Sequence, residues 1–200
     1  MTDIRFHIKD KFIKTDPEFL RIYSAIQDYA LRKDKIKFII NISYNHGGEI
    51  AVMRDFVAII EAAATRYANL TFDLRFGGFA VSAAAFVFCY FVYFTKTPRV
   101  RVSSGVRLCI VFHKPRSLKP YRGKLITIFD NNEDDKKKLT QAESEELANW
   151  TKEFDEVLEA TVEAIELGGG KFDQHLLDSY NSNGDLSFTL YPQVFKGGHK

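Results

Sequence analysis

One serine, Ser82, stands among alanines in GGFAVSAAAF (residues 77–86), directly after a pair of glycines. A hydroxyl in apolar company either returns its hydrogen bond to the backbone or is offered to something else. Catalysis by serine needs a base within hydrogen-bond reach, an acid that orients the base, and two donors aimed at the developing oxyanion. A serine opening a helix after a glycine turn would sit where unpaired N–H groups and the helix dipole favour negative charge. The N–H of Ala83 is then a natural oxyanion donor. A second donor has to come from a loop whose side chains leave room for a carbonyl, and Gly47 and Gly48, which follow a β-branched run, fit that need. Five histidines could supply the base: His7, His46, His113, His175 and His199. His113 closes the apolar run RLCIVF, so its ring is expected at the C-terminal end of a sheet strand, where open α/β sheets place their sites. His46 lies in the glycine turn itself and competes for the role. The plainer reading makes each histidine a surface or structural residue and Ser82 an ordinary helix position.

The elements that would carry these residues read as an α/β chain. Pro17 to Lys33 places Phe19, Leu20, Tyr23, Ile26 and Ala30 on one helical face, with Asp16 as cap. KIKFIINISYN then reads as a buried strand, His46–Gly48 as a turn, and residues 50–67 as a second helix. A short strand, LTFDLRF, the double glycine and an apolar helix containing Ser82 come next. Strands alternating with helices over short connections predict βαβ crossovers and a mostly parallel sheet. RVRVSS, VRLCIVFHK and GKLITIFD are further strands, and NNEDDKKK is a solvated loop. Thr140 and Glu143 form a capping box for a long helix that closes at Gly168–Gly170. That helix is too long to pack fully in a small domain; its apolar seam (Leu147, Trp150, Phe154, Val157, Leu158, Thr161, Ile165) reads most simply as the buried stripe of a solvated helix, and in a sharper reading as an oligomer contact.

Composition narrows the function classes. A chain of 200 residues that is 46% hydrophobic and 27% charged can bury a core as one domain. Its 28 basic and 26 acidic residues leave a net charge of +2, too little for a nucleic-acid footprint. Cys89 and Cys109 lie in apolar runs without metal-ligand spacing and read as buried thiols in a reducing compartment. No secretory signal is visible, so a cytoplasmic location is expected. The uncharged stretch Phe79–Thr95 falls short of the roughly 20 residues of a membrane span and is expected to be a buried helix. Metal and nucleotide signatures are absent, so no cofactor is expected.

In chain order, YNHGGE, a helix, GGFAVSAAAF and RVSSGVRLCIVFHKP resemble the proteolytic subunit of the Clp protease and its relatives in the ClpP/crotonase superfold. In that family a Gly-Gly turn supplies an oxyanion donor, a G-x-A-x-S-x-x-A segment carries the nucleophile and a strand ending in His-x-Pro carries the base. The resemblance covers residues 36–115, and more loosely 173–197. It implies repeated ββα units, Ser82 as nucleophile beside Ala83, Gly48 as the second oxyanion donor and His113 as base. Through NGDLSFTLYPQVFKGG it nominates Asp185 as the acid, with Asp173 and Asp178 next in line. The order Ser, His, Asp also differs from the three commonest triads. The resemblance further implies a serine endopeptidase acting on peptides or unfolded proteins, as a homo-oligomer, in one domain spanning residues 1–200. Three departures stand out. The turn reads His-Gly-Gly rather than Pro-Gly-Gly. Residues 116–170 replace the family's handle with a loop and the long helix. The first residues carry no recognisable axial loop or docking motif for an unfolding ATPase, a partner the family uses. An inactive binding or scaffold relative on the same fold is the alternative expectation, with a crotonase-type acyl-CoA enzyme as a minor variant.

Overall fold

The β-branched run at residues 36–45 becomes one of four parallel neighbours in the sheet that carries the candidate site. The computed structural model describes residues 1–196, which divide into two compact units, residues 1–112 with 187 onward, and residues 113–186.

In the first unit, β1 (Thr2–Lys9), β2 (Ile36–Asn45), β3 (Leu70–Val81) and β4 (Val100–His113) lie side by side in that order, each pair parallel. Helix α1 (Pro17–Ala30) joins the first pair, α2 (Ile50–Arg66) the second and α3 (Ala83–Cys89) the third. Beyond β4 in the strand order comes β7 (Asp185–Leu190), and β8 (Gln193–Lys196) pairs antiparallel with the first half of β4. The mixed α/β class and the mostly parallel sheet agree with the sequence pattern. Aromatic rings bind the strands across the sheet: Phe38 stacks on Phe6 and on Phe72, with centroids 6.0 and 5.1 Å away. Phe12, Phe19 and Phe56 form a second buried cluster that docks α1 and α2.

Several boundaries differ from expectation. The alternation in TDIRFHIK buries only Phe6 and Ile8, and its dense charges hid β1, an edge strand whose outward residues stay in water. On α1 the inward residue is Ile22; Leu20 is 68% exposed. The double glycine does not end β3, which runs through Gly77 and Gly78 to Val81, with a register shift against both neighbours at that level. RVRVSS and VRLCIVFH are one strand, β4, interrupted by the exposed residues Gly105–Arg107. The apolar stretch containing Ser82 is short as a helix. All seven residues of α3 are buried, and it continues as a π-helical turn, Tyr90–Phe94. Glu61 on α2 closes that turn by accepting hydrogen bonds from Tyr90 (2.8 Å), Thr95 (2.8 Å) and Thr97 (3.3 Å). Among the described residues no helix is long and apolar enough to cross a membrane. Among the described residues Cys89 and Cys109 form no disulfide, the first buried and the second half-buried.

In the second unit, β5 (Ser117–Tyr121) and β6 (Lys124–Ile128) form an antiparallel hairpin. The charge block contains a one-turn helix, α4 (Glu133–Lys136), capped by Asn132. The long helix is α5 (Gln141–Leu167), and its capping box is formed by Thr140 and Glu143 as the sequence indicates. Of its seam, Leu147, Phe154, Val157, Leu158 and Thr161 are buried inside the unit, while Trp150 and Ile165 are half-buried. An unforeseen helix, α6 (Gln174–Asn183), packs Tyr180 inward; the Tyr180 hydroxyl donates to Asp155 of α5 at 2.8 Å.

Candidate active site

Ser82 occupies a sharp strand-to-helix turn. It comes directly after the last residue of β3 and is the N-cap of α3, with φ 53° and ψ −117°. A side chain at positive φ is strained, at about 1–3 kcal/mol, and such strain persists only where the surroundings enforce it. Here the enforcing contacts are visible. The Ser82 N–H donates to Val111 of β4 at 2.8 Å, and its carbonyl accepts from Phe86 at 2.9 Å. Both backbone groups are therefore committed, whereas the hydroxyl makes no capping bond and has no partner among the described residues. Ser82 is half-buried; Ala83, which opens α3, is fully buried. As the first helical residue Ala83 has no intrahelical acceptor for its N–H.

The glycine turn lies directly against this bend. A Cβ on Gly47 would come within 2.7 Å of the Ser82 Cβ and of the Val81 carbonyl oxygen, so only glycine lets the two loops touch. On its other side the turn is clamped by the segment after β1. His46 N–H donates to Asp10 at 2.6 Å, Phe12 N–H to Gly47 at 2.6 Å, and Glu49 N–H to Phe12 at 2.8 Å. This forms a one-residue parallel bridge between Phe12 and Gly48, so close that a Cβ on Gly48 would lie 2.2 Å from the Phe12 oxygen. The Gly47 N–H is taken by the Asn45 side chain at 2.9 Å. The Gly48 N–H has no acceptor among the described residues. Asn45 escaped the sequence reading, although an Asn two residues before a glycine pair is the signature of an Asx turn.

In the second unit the His113 Nδ1 and an Asp185 carboxylate oxygen share a short hydrogen bond. The two residues are 72 positions apart, and the local fold explains their meeting. Gly184 ends α6 in the left-handed conformation, φ 80°, and returns its N–H to Tyr180, which turns the chain at once into β7 with Asp185 as first residue. Lys114 N–H then donates to the Gly184 carbonyl at 2.7 Å, locking the neighbours of both residues together. The Lys114 ammonium lies 4.7 Å over the Tyr180 ring and 3.8 Å from Asp155. Burial first, then the charge of the Asp155 carboxylate and the hydrogen bond it accepts, push the Tyr180 hydroxyl far up, so it stays a donor. The His113 side chain is 20% exposed and that of Asp185 52%.

The other candidates have different places. Asp173 caps α6, accepting the N–H of His175, and Asp178 accepts from Gln174. His46 is exposed and packs its ring 4.7 Å from that of Phe79. His7 lies on β1, and His199 falls outside the described residues. Ser82, Gly47, Gly48 and Ala83 are thus brought together in the first unit, and His113 with Asp185 in the second.

No protein-family model matches this chain, and no curated protein matches it by sequence. Among solved structures, the crystal structure of the ClpP protease catalytic domain from Plasmodium falciparum is similar to it at 12% identity, over 78% of this chain and 72% of that one, with a TM-score of 0.39.

Proposed function

We propose that this protein is a ClpP-like serine peptidase. The observation that carries the reading is the Ser82 bend: a non-glycine residue at φ 53° between a strand and a helix, its backbone groups committed and its hydroxyl not, lying against a glycine turn. A strained strand-to-helix bend is how α/β hydrolytic folds present a nucleophilic serine above a sheet. Two further observations agree with it. The N–H groups of Gly48 and Ala83 are uncommitted, as oxyanion donors must be, and His113 holds a carboxylate through Nδ1, which leaves Nε2 to act as base.

In this reading Ser82 Oγ attacks the carbonyl carbon of a peptide bond while His113 Nε2 takes its proton. Asp185 keeps Nδ1 protonated and stabilises the imidazolium. The oxyanion accepts from Gly48 and Ala83, the C–N bond breaks, and His113 returns the proton to the leaving amine. Water, activated by the same imidazole, then frees the acyl group from Ser82. The substrates are peptides or unfolded protein, residues 116–170 replace the family's handle, and copies of the chain associate. A second reading, a binding protein on the same fold without turnover, draws on the 52% exposure of Asp185, since water competes there for the carboxylate that a triad needs.

The test is labelling of the purified protein with a fluorophosphonate, read by intact mass, with Ser82→Ala as control. A single adduct lost in the control is the expected result. No adduct on folded protein favours the binding reading.

A further inference from the structure

Asn45 is the last residue of β2, wholly buried at 0% exposure, and pairs in register with Ala80 of β3. Its side-chain oxygen accepts the Gly47 N–H at 2.9 Å, while its side-chain nitrogen is buried without a partner. An unpaired buried N–H costs roughly 1–3 kcal/mol, so an apolar residue of this size would suit the strand better if packing alone mattered. The one bond the amide does make controls the glycine turn. It consumes the N–H of Gly47, the glycine that lies against the Ser82 bend, and leaves the N–H of the next residue, Gly48, as the turn's free donor.

We propose that Asn45 is a positioning residue for the oxyanion donor: its Asx turn holds Gly47 so that the Gly48 N–H faces the reacting carbonyl of a substrate at Ser82. The inference rests on the peptidase reading. Asn45 itself touches neither substrate nor nucleophile; it acts through Gly47. Serine makes the same i to i+2 turn, more weakly, whereas leucine keeps the branched heavy-atom shape and cannot make it. Asn45→Ser therefore serves as the conservative rescue and Asn45→Leu as the disruption.

Two measurements on the full chain test it. Amide hydrogen exchange by NMR reads the tie itself: Gly47 is protected in the parent and in Asn45→Ser, and exchanges at least tenfold faster in Asn45→Leu. The kinetics of fluorophosphonate labelling read its consequence. Loss of an oxyanion donor costs about 10²–10³ in rate, so a misplaced one is expected to lower the labelling rate constant in Asn45→Leu by at least about tenfold. The probe's half-saturation concentration stays unchanged, because the donor acts on the tetrahedral state and not on binding. Asn45→Ser recovers most of the rate. Unchanged Gly47 exchange in Asn45→Leu overturns the tie. Faster exchange with an unchanged rate constant makes the tie purely structural and overturns the proposal. A parent that is never labelled refutes the peptidase reading and the oxyanion role that rests on it, whereas the exchange data, which need no activity, still decide whether Asn45 ties Gly47.

Discussion

Removing the side chain of Ser82 in two different ways separates the strain of the bend from the chemistry of the hydroxyl. Ser82→Ala keeps a Cβ at φ 53° and therefore keeps the strain. Ser82→Gly releases it, because glycine adopts positive φ freely, but glycine also gives the unfolded chain about 0.5–1 kcal/mol of extra entropy. Setting that against about 1–3 kcal/mol of strain leaves the glycine variant more stable than the alanine variant by about 0–2.5 kcal/mol. A gain of about 1 kcal/mol would raise Tm by about 2–4 °C in a chain of this length. Urea denaturation monitored by far-ultraviolet circular dichroism measures the difference, with Ala84→Gly, two residues further on at a buried position of α3, as the ordinary case that loses about 1 kcal/mol or more. Neither Ser82 variant reacts with the fluorophosphonate. If Ser82→Gly proves less stable than Ser82→Ala by the same 1 kcal/mol as the control, the bend is unstrained and the main support for a presented nucleophile is gone.

The remaining predictions use other parts of the molecule. Gly47→Ala puts a methyl group 2.7 Å from the Ser82 Cβ at φ 90°, and is expected to cost about 2–5 kcal/mol in denaturation and to abolish labelling. Asp185→Asn should leave the circular dichroism spectrum unchanged and lower peptide hydrolysis by several powers of ten; full activity would mean that the acid lies elsewhere. Glu143 is held down at about 2 from 4.5 by its hydrogen bond from Lys119 and then by those from the Thr140 backbone and hydroxyl. Because its folded value is depressed, its stabilisation is complete above about pH 4.5 and disappears as pH falls to about 2, so parent and Glu143→Gln should differ in Tm at pH 6 and converge near pH 2. Trp150→Glu, at a half-buried position, tests self-association through α5 by sedimentation velocity: a lower sedimentation coefficient is expected, and an unchanged one removes that contact. Phe154, 1% exposed inside its own unit, is not a fair probe, since a charge there would unfold the unit first.

Where local chemistry decides the structure, the sequence was readable. Asp16 before Pro17, the Thr140–Glu143 box and the glycines after Leu167 mark helix ends because each satisfies backbone groups within four residues. Where the outcome depends on pairing partners, it was not. The arginine, histidine and lysine of RFHIK obscure an edge strand whose identity comes from its ladder with β2. Gly77 and Gly78 suggest a turn, yet strands on both sides hold them in the sheet through a register shift. The same distinction runs through the site. Ser82, Gly47 and Gly48 stood out by composition alone. The meeting of His113 with Asp185, brought about by a left-handed glycine at the end of an unforeseen helix, did not; Asp185 was nominated only by resemblance.

The long interval between His113 and Asp185 also has a consequence in time. Synthesis runs from the N-terminus at about 5–20 residues per second, and domains fold as they emerge. Strands β1 to β3, α3 and the glycine turn are all complete before residue 113 is added. The nascent chain therefore contains Ser82, the glycine turn and His113 before the carboxylate that pairs with His113 is made, 72 residues later. On the peptidase reading, a chain made in this order lacks its acid for as long as that interval is still being synthesised.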